Sequence, residues 1–170
     1  TKISDANGNV FFKYECNQAF KVEANLETYL NNSVDVASTD EPEVKKEIPL
    51  ERIIVEDKII LNPIFFELDK HNITAHGANE LNKLVEIMKS HPTMIIKATS
   101  HTDTRAPDAY NMSLSDRRAK STAQYVISQG IEASRISGEG MGETQLIIEN
   151  AKTKEEHQAN RRSEFIIVKK

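Results

Sequence analysis

The residues best able to do chemistry gather in one stretch, His101-Thr102-Asp103-Thr104-Arg105-Ala106-Pro107-Asp108-Ala109-Tyr110-Asn111, between an apolar run and a helical pattern. Ligands favour such a loop, because the first turn of a helix offers unpaired N–H groups and the positive end of its dipole. With Ser115 as the N-cap, Arg118 becomes the third helical residue and lies beside the loop. Asp103 and Arg118 would then flank one small pocket, the carboxylate suited to an ammonium and the guanidinium to a carboxylate. Such a pair fits a zwitterion such as an amino-acid head group. The competing reading is that the two side chains pair with each other or are merely solvated.

Catalytic readings find less support. His101 and Asp103 supply two ligands at a strand end, but no HExxH and no third His or Cys at ligand spacing accompanies them. No Gly-x-Ser-x-Gly elbow occurs, and Gly138-Glu139-Gly140-Met141-Gly142 lacks the lysine of a phosphate loop, so its glycines are read as a tight turn after a strand. His71, His76, His91 and His157 do not cluster and read as surface residues.

The elements that must position the loop follow from periodicity. Ile59 to Phe66 reads as a strand, with Pro63 marking an edge or bulge. Leu81, Leu84, Val85 and Met88 fall at i, i+3, i+4 and i+7, which predicts an amphipathic helix from about Thr74 to just before His91-Pro92. Met94 to Thr99 reads as a buried strand, followed by a helix from Ser115 to Gly130 with Ala119, Ala123, Val126 and Ile127 facing inward. Strands at Arg135 to Glu139 and Ser163 to Val168, with a short helical stretch from Lys154 to Asn160 between them, complete the series. The order is βαβαβ(α)β, an α/β two-layer sandwich with helices packed on a mixed sheet, preceded by a small β-rich segment.

Charge separates that segment from the rest. Residues 1–50 hold five Lys and nine Asp or Glu, and thus the whole net charge of −4, whereas residues 51–170 carry 17 charges of each sign. We therefore expect an acidic β-rich segment and linker over 1–49 and one binding domain over 50–170. Within the first, Asp5-Ala6-Asn7-Gly8-Asn9 is a turn, Val10 to Tyr14 and Phe20 to Ala24 read as a hairpin, and Val34 to Val36 as a further strand. Asp5, Asn7 and Asn9 have the spacing of a calcium-loop start, but Cys16 stands where the closing Glu would be needed, which excludes an EF-hand. The single Cys16 permits no internal disulfide and reads as a small buried thiol in a strand. The balance of charge and a pI near 5.8 argue against nucleic acid and against a polybasic membrane surface.

Residues 59–168 resemble the OmpA-like peptidoglycan-binding domain. The resemblance rests on Phe65-Phe66-Glu67-Leu68-Asp69-Lys70, Ser100-His101-Thr102-Asp103-Thr104-Arg105, Asn111-Met112-Ser113-Leu114-Ser115-Asp116-Arg117-Arg118-Ala119, Gly140-Met141-Gly142-Glu143 and Asn160-Arg161-Arg162-Ser163-Glu164, in that order. It implies a non-enzymatic domain, without cofactor or metal, that binds the diaminopimelate-containing stem peptide of peptidoglycan in the periplasm. The outer membrane would be held through another part of the protein. By the same resemblance Asp103 is the key carboxylate and Arg118 the key guanidinium. Thr102, Asn111 and Leu114 line the pocket, Leu68, Asp69 and His71 close it from the other side, and Arg161 borders it. The stretch from Asp5 to about Val36 resembles part of the small carboxypeptidase-regulatory-like β-sandwich, in which such a turn precedes a strand.

Two positions depart from the usual GHTDSxG pattern, with Ser100 and Ala106 in place of glycines. Ser100 fits a strand end. Ala106 would be strained by about 1 kcal/mol if the loop needs a positive φ there. This departure motivates the alternative reading, a protein-interaction or spacer module of an outer-membrane protein with weakened ligand binding. A peptidoglycan hydrolase lacks a nucleophile or metal set, and a homodimer stays open.

Overall fold

The computed structural model describes residues 1–26, 28–55, 57–67 and 70–170. The chain divides into two compact units, Thr1–Glu51 and Arg52–Lys170.

In the first unit, β1 (Phe20–Ala24) pairs antiparallel with β2 (Asn32–Val36), Phe20 opposite Val36 and Ala24 opposite Asn32. The expected hairpin with Val10 to Tyr14 does not form. That stretch is not a strand: Tyr14 donates its hydroxyl to the Glu41 carbonyl, and Asn17, at φ 60°, donates its N–H to Thr39. Its partner groups thus lie downstream, and β1 pairs with the strand that follows it. Cys16 is exposed at the intervening turn, not buried in a strand. Asp5 closes its own turn, Oδ1 accepting from the N–H groups of Asn7 and Asn9, as Asp does when it initiates a turn.

The second unit carries β3 (Ile54–Val55), β4 (Lys58–Ile59), α1 (Ala75–Ser90), β5 (Ile95–His101), α2 (Asp108–Ser128), β6 (Ile136–Gly142), α3 (Lys154–Asn160) and β7 (Ser163–Lys169). The sheet order is β3-β4-β7-β5-β6, with β5 and β6 parallel and the other neighbours antiparallel. This is the mixed sheet with helices packed on it that the alternating pattern predicts.

Local chemistry sets the element ends. Thr74 caps α1 by accepting the N–H of Gly77 at 3.1 Å, and Leu81, Leu84, Val85 and Met88 turn into the core. The strand expected over Ile59 to Phe66 stops at Ile59. Ile60 is exposed, Pro63 offers no donor to a ladder, and the N–H of Asn62 goes to Glu80 of α1 instead. Thr153 and Glu156 form a reciprocal capping box at the start of α3.

α2 starts at Asp108, not at Ser115. Pro107, with φ −60° and extended ψ, launches the helix, and Asp108 places a negative charge in its first turn. Ser115 is fully buried inside the helix, where its hydroxyl donates to the Met112 carbonyl and accepts the N–H of Gly142. Arg118 accordingly lies in the helix interior.

Gly138 and Gly140 are not turn residues but members of β6. A Cβ on Gly138 would stand 2.3 Å from the Ala119 carbonyl oxygen, and one on Gly140 2.2 Å from the Asp116 nitrogen. The two glycines let the α2 backbone rest directly on the strand.

Candidate functional site

The loop leaves the sheet between two ladders. At the end of β5, His101 donates its N–H to Arg162, and beyond it Thr102 donates to Gly142, so the strand's exit is fixed on both sides. Asp103 follows and is only 5% exposed. Its Oδ1 accepts the N–H of Arg105 at 3.1 Å, and its Oδ2 accepts Nε and Nη2 of the same residue at 3.0 and 2.8 Å. Nη1 of Arg161, at the C-cap of α3, donates to the same Oδ2, and Nη2 of Arg161 donates to Gln158. Burial alone would raise the Asp103 pKa, but the hydrogen bonds from Arg105 and Arg161 outweigh it and hold the carboxyl below its usual range. Asp103 thus takes its guanidinium partners from Arg105 and Arg161 rather than from Arg118.

Arg118 reaches the opposite wall. Its Nε donates to the Lys70 carbonyl at 3.0 Å and its Nη2 to that of Glu67 at 3.3 Å, while the guanidinium lies 4.9 Å from the centre of the Phe66 ring. One residue of α2 therefore clamps the segment that leads from the sheet toward α1.

A cleft of about 270 Å³ runs between these groups, lined by Phe65 and Phe66, by His101, and by the guanidiniums of Arg105, Arg118, Arg161 and Arg162. Among the described residues it has no acidic lining residue. His101 is 2% exposed, with Nε2 3.2 Å from Thr99 Oγ1 and no partner for Nδ1 among the described residues. Burial first, and then the charge of Arg162, lower its pKa to about 4, only partly opposed by Glu164.

Of the expected site residues, Arg118 and Arg161 line the cleft, and Asp103 stands behind Arg161 and Arg105. Thr102, Asn111 and Leu114 are buried and do not line it. Asn111 is a brace: its Nδ2 lies 2.9 Å from the Asp103 carbonyl, 3.0 Å from that of Ala106 and 2.5 Å from a Glu143 carboxylate oxygen. His71 is partly exposed and lies outside the lining, and Leu68 and Asp69 fall outside the described residues. Ala106 has no positive φ, so the strain considered for it is absent.

Phe65, Phe66, Arg105 and Arg162 line the cleft without having been among the expected site residues, and His101, weighed only as a metal or catalytic candidate, lines it too. A signal for Arg105 existed. An Asp that accepts the N–H two residues on makes an Asx turn, which brings the side chain at that position back toward the carboxylate.

The sheet order, the glycine-mediated seat of α2 and the cleft at the β5–α2 junction define an α/β two-layer domain with its site at a helix–sheet edge. Residues 65–161 match the OmpA family, and the chain belongs to that family. It is 38% identical over 112 residues to outer membrane protein A of Bordetella avium, covering 65% of this chain and 57% of that protein. It is 30% identical over 105 residues to the peptidoglycan-associated lipoprotein of Buchnera aphidicola, covering 62% and 60% respectively. The chain thus spans less than two thirds of either relative.

Two solved structures share the fold. The C-terminal domain of Helicobacter pylori MotB superposes with a TM-score of 0.58 at 20% identity, over 65% of this chain and 86% of that one. The peptidoglycan-associated lipoprotein of Burkholderia pseudomallei gives 0.53 at 20% identity, over 61% and 87%. No helix among the described residues is long and apolar enough to cross a membrane.

Proposed function

We propose that the second unit binds peptidoglycan non-covalently, taking the diaminopimelate head group of a stem peptide, and thereby ties the outer membrane to the cell wall. The observation that carries this is a buried carboxylate held ionised at Asp103 behind a cleft whose walls present Arg118 and Arg161. An ammonium needs such an acceptor and a neighbouring carboxylate such guanidiniums, each through charge-assisted bonds. The names of two relatives, outer membrane protein A and peptidoglycan-associated lipoprotein, support the same reading.

On this reading the protein anchors and does not catalyse. It works in the periplasm, with the membrane attachment in another part of the protein and the acidic residues 1–49 as a spacer. Co-sedimentation with purified diaminopimelate-type sacculi tests it. Wild-type protein pellets with the sacculi, whereas Asp103→Ala and Arg118→Ala stay in the supernatant with unchanged circular dichroism. Equal pelleting of both variants would sink the reading.

A further inference from the structure

We infer that Arg105 is a specificity-determining residue that makes the cleft discriminate between an amino-acid head group and a plain amine, an inference that rests on the function proposed above. A carboxylate offers about four lone-pair sites, and Asp103 meets four donors: the N–H, Nε and Nη2 of Arg105 and Nη1 of Arg161. An ammonium that approaches Asp103 must therefore take a place held by one of the two guanidiniums.

Arg105 is the one placed to yield. Its side chain is 57% exposed against 25% for Arg161, which is further tethered to Gln158. Every side-chain bond of Arg105 goes to Asp103.

What happens to the released guanidinium sets the selectivity. Among the described residues no carboxylate lines the cleft to receive the displaced guanidinium. A lone amine breaks a two-pronged charge-assisted pair and returns nothing to it. It also enters a wall that already carries the guanidiniums of Arg105, Arg118, Arg161 and Arg162. A head group with a carboxylate on the same carbon as its ammonium gives the displaced Arg105 a new anionic partner while the ammonium takes Asp103. Diaminopimelate carries that pair at the end of its side chain; lysine carries the amine alone.

Calorimetric titration of the full chain with two muramyl tetrapeptides, carrying diaminopimelate or lysine at the third position, tests this. Wild-type protein is expected to prefer the diaminopimelate peptide by at least about tenfold, and Arg105→Ala to shrink that ratio by at least about threefold, chiefly through tighter binding of the lysine peptide. Arg105→Lys, which keeps the charge but loses the fork, gives an intermediate ratio. An unchanged ratio in Arg105→Ala, with a native circular dichroism spectrum, overturns the role of Arg105 and leaves the binding function standing. Equal wild-type affinity for the two peptides overturns the selectivity in the same way. Wild-type protein that binds neither peptide overturns the proposed function and this inference together.

Discussion

Asp103 accepts a hydrogen bond from Arg161, a residue 58 positions away in the sequence, so that the exit of β5 and the end of α3 are tied through one buried carboxylate. Removing Arg161 leaves Asp103 with Arg105 alone, and removing the Asp103 charge leaves both guanidiniums without their shared carboxylate. Asp103→Asn and Arg161→Ala should each lower unfolding stability by about 1–3 kcal/mol in urea titrations. The double variant should lose less than the two single losses combined, because the partners act as a unit. The folded pKa of Asp103 lies below the ordinary aspartate value of 3.8, so its stabilisation is present above that value and fades as pH falls through the lower, folded one. Asp103→Asn should flatten that acid limb.

His101 governs a different pH window. Its pKa falls from 6.5 to about 4 in the folded protein, so between these values the unfolded chain binds more protons and stability must rise with pH. Full stabilisation is present above about pH 6.5 and declines as pH drops toward 4. At 1.36 kcal/mol for each pKa unit, the decline amounts to about 3 kcal/mol. Urea midpoints between pH 7.5 and 4.5 measure it, and His101→Gln should remove most of this slope. A slope unchanged by the substitution would show that other groups produce it.

Much of the fold was legible because the core-forming residues keep a clean period. Leu81, Leu84, Val85 and Met88 announce α1, and all four are buried. Failures came where a local signal had a rival. Ser115 has the right side chain for an N-cap, but Pro107 and Asp108 open the helix earlier, and Ser115 spends its hydroxyl on Gly142 across the helix–strand interface. The spacing of Gly138 and Gly140 suggests a turn, and nothing in one sequence says that a helix backbone will lie against them.

The candidate site was legible in residue type but not in partnership. Asp103 and Arg118 could be singled out as opposite charges near one loop. That Asp103 turns to Arg161 depends on β7 and α3 returning to the edge of β5, a long-range result of sheet order. Asn111 looks like a ligand group from its motif, yet its amide is aimed at the Asp103 and Ala106 carbonyls of its own loop.

The contact between β6 and α2 leaves no room for a side chain at Gly140. A methyl there would meet Asp116 N at 2.2 Å and Ser115 Oγ at 2.7 Å, both in the helix that carries Arg118. Gly140→Ala should cost about 3 kcal/mol, the upper end of the overpacking range, since backbone rather than a movable side chain has to give way. Ser137→Ala on the same strand, at an exposed position, should stay within about 0.5 kcal/mol of wild type. Thermal melts of the two variants separate a packing effect from a general loss of strand propensity.

Asn160 is 1% exposed and serves the loop before α3 with both ends of its amide. Its Oδ1 accepts the N–H groups of Ile147 and Ile148 at 2.9 and 3.0 Å, and its Nδ2 donates to the Ile148 carbonyl at 2.8 Å. Asn160→Leu preserves approximate volume but strands two donors and an acceptor, which should cost about 2–4 kcal/mol. The damage should also be local before it is global. Hydrogen exchange at the Ile147 and Ile148 amides should speed up by more than that of the β5 amides, because the loop can open while the sheet stays paired. Uniform acceleration across the second unit would mean that Asn160 supports the whole domain rather than this loop. Arg161 follows it directly, so loosening Asn160 should also weaken the Arg161 contact with Asp103 and reduce sedimentation with sacculi, although Asn160 does not line the cleft.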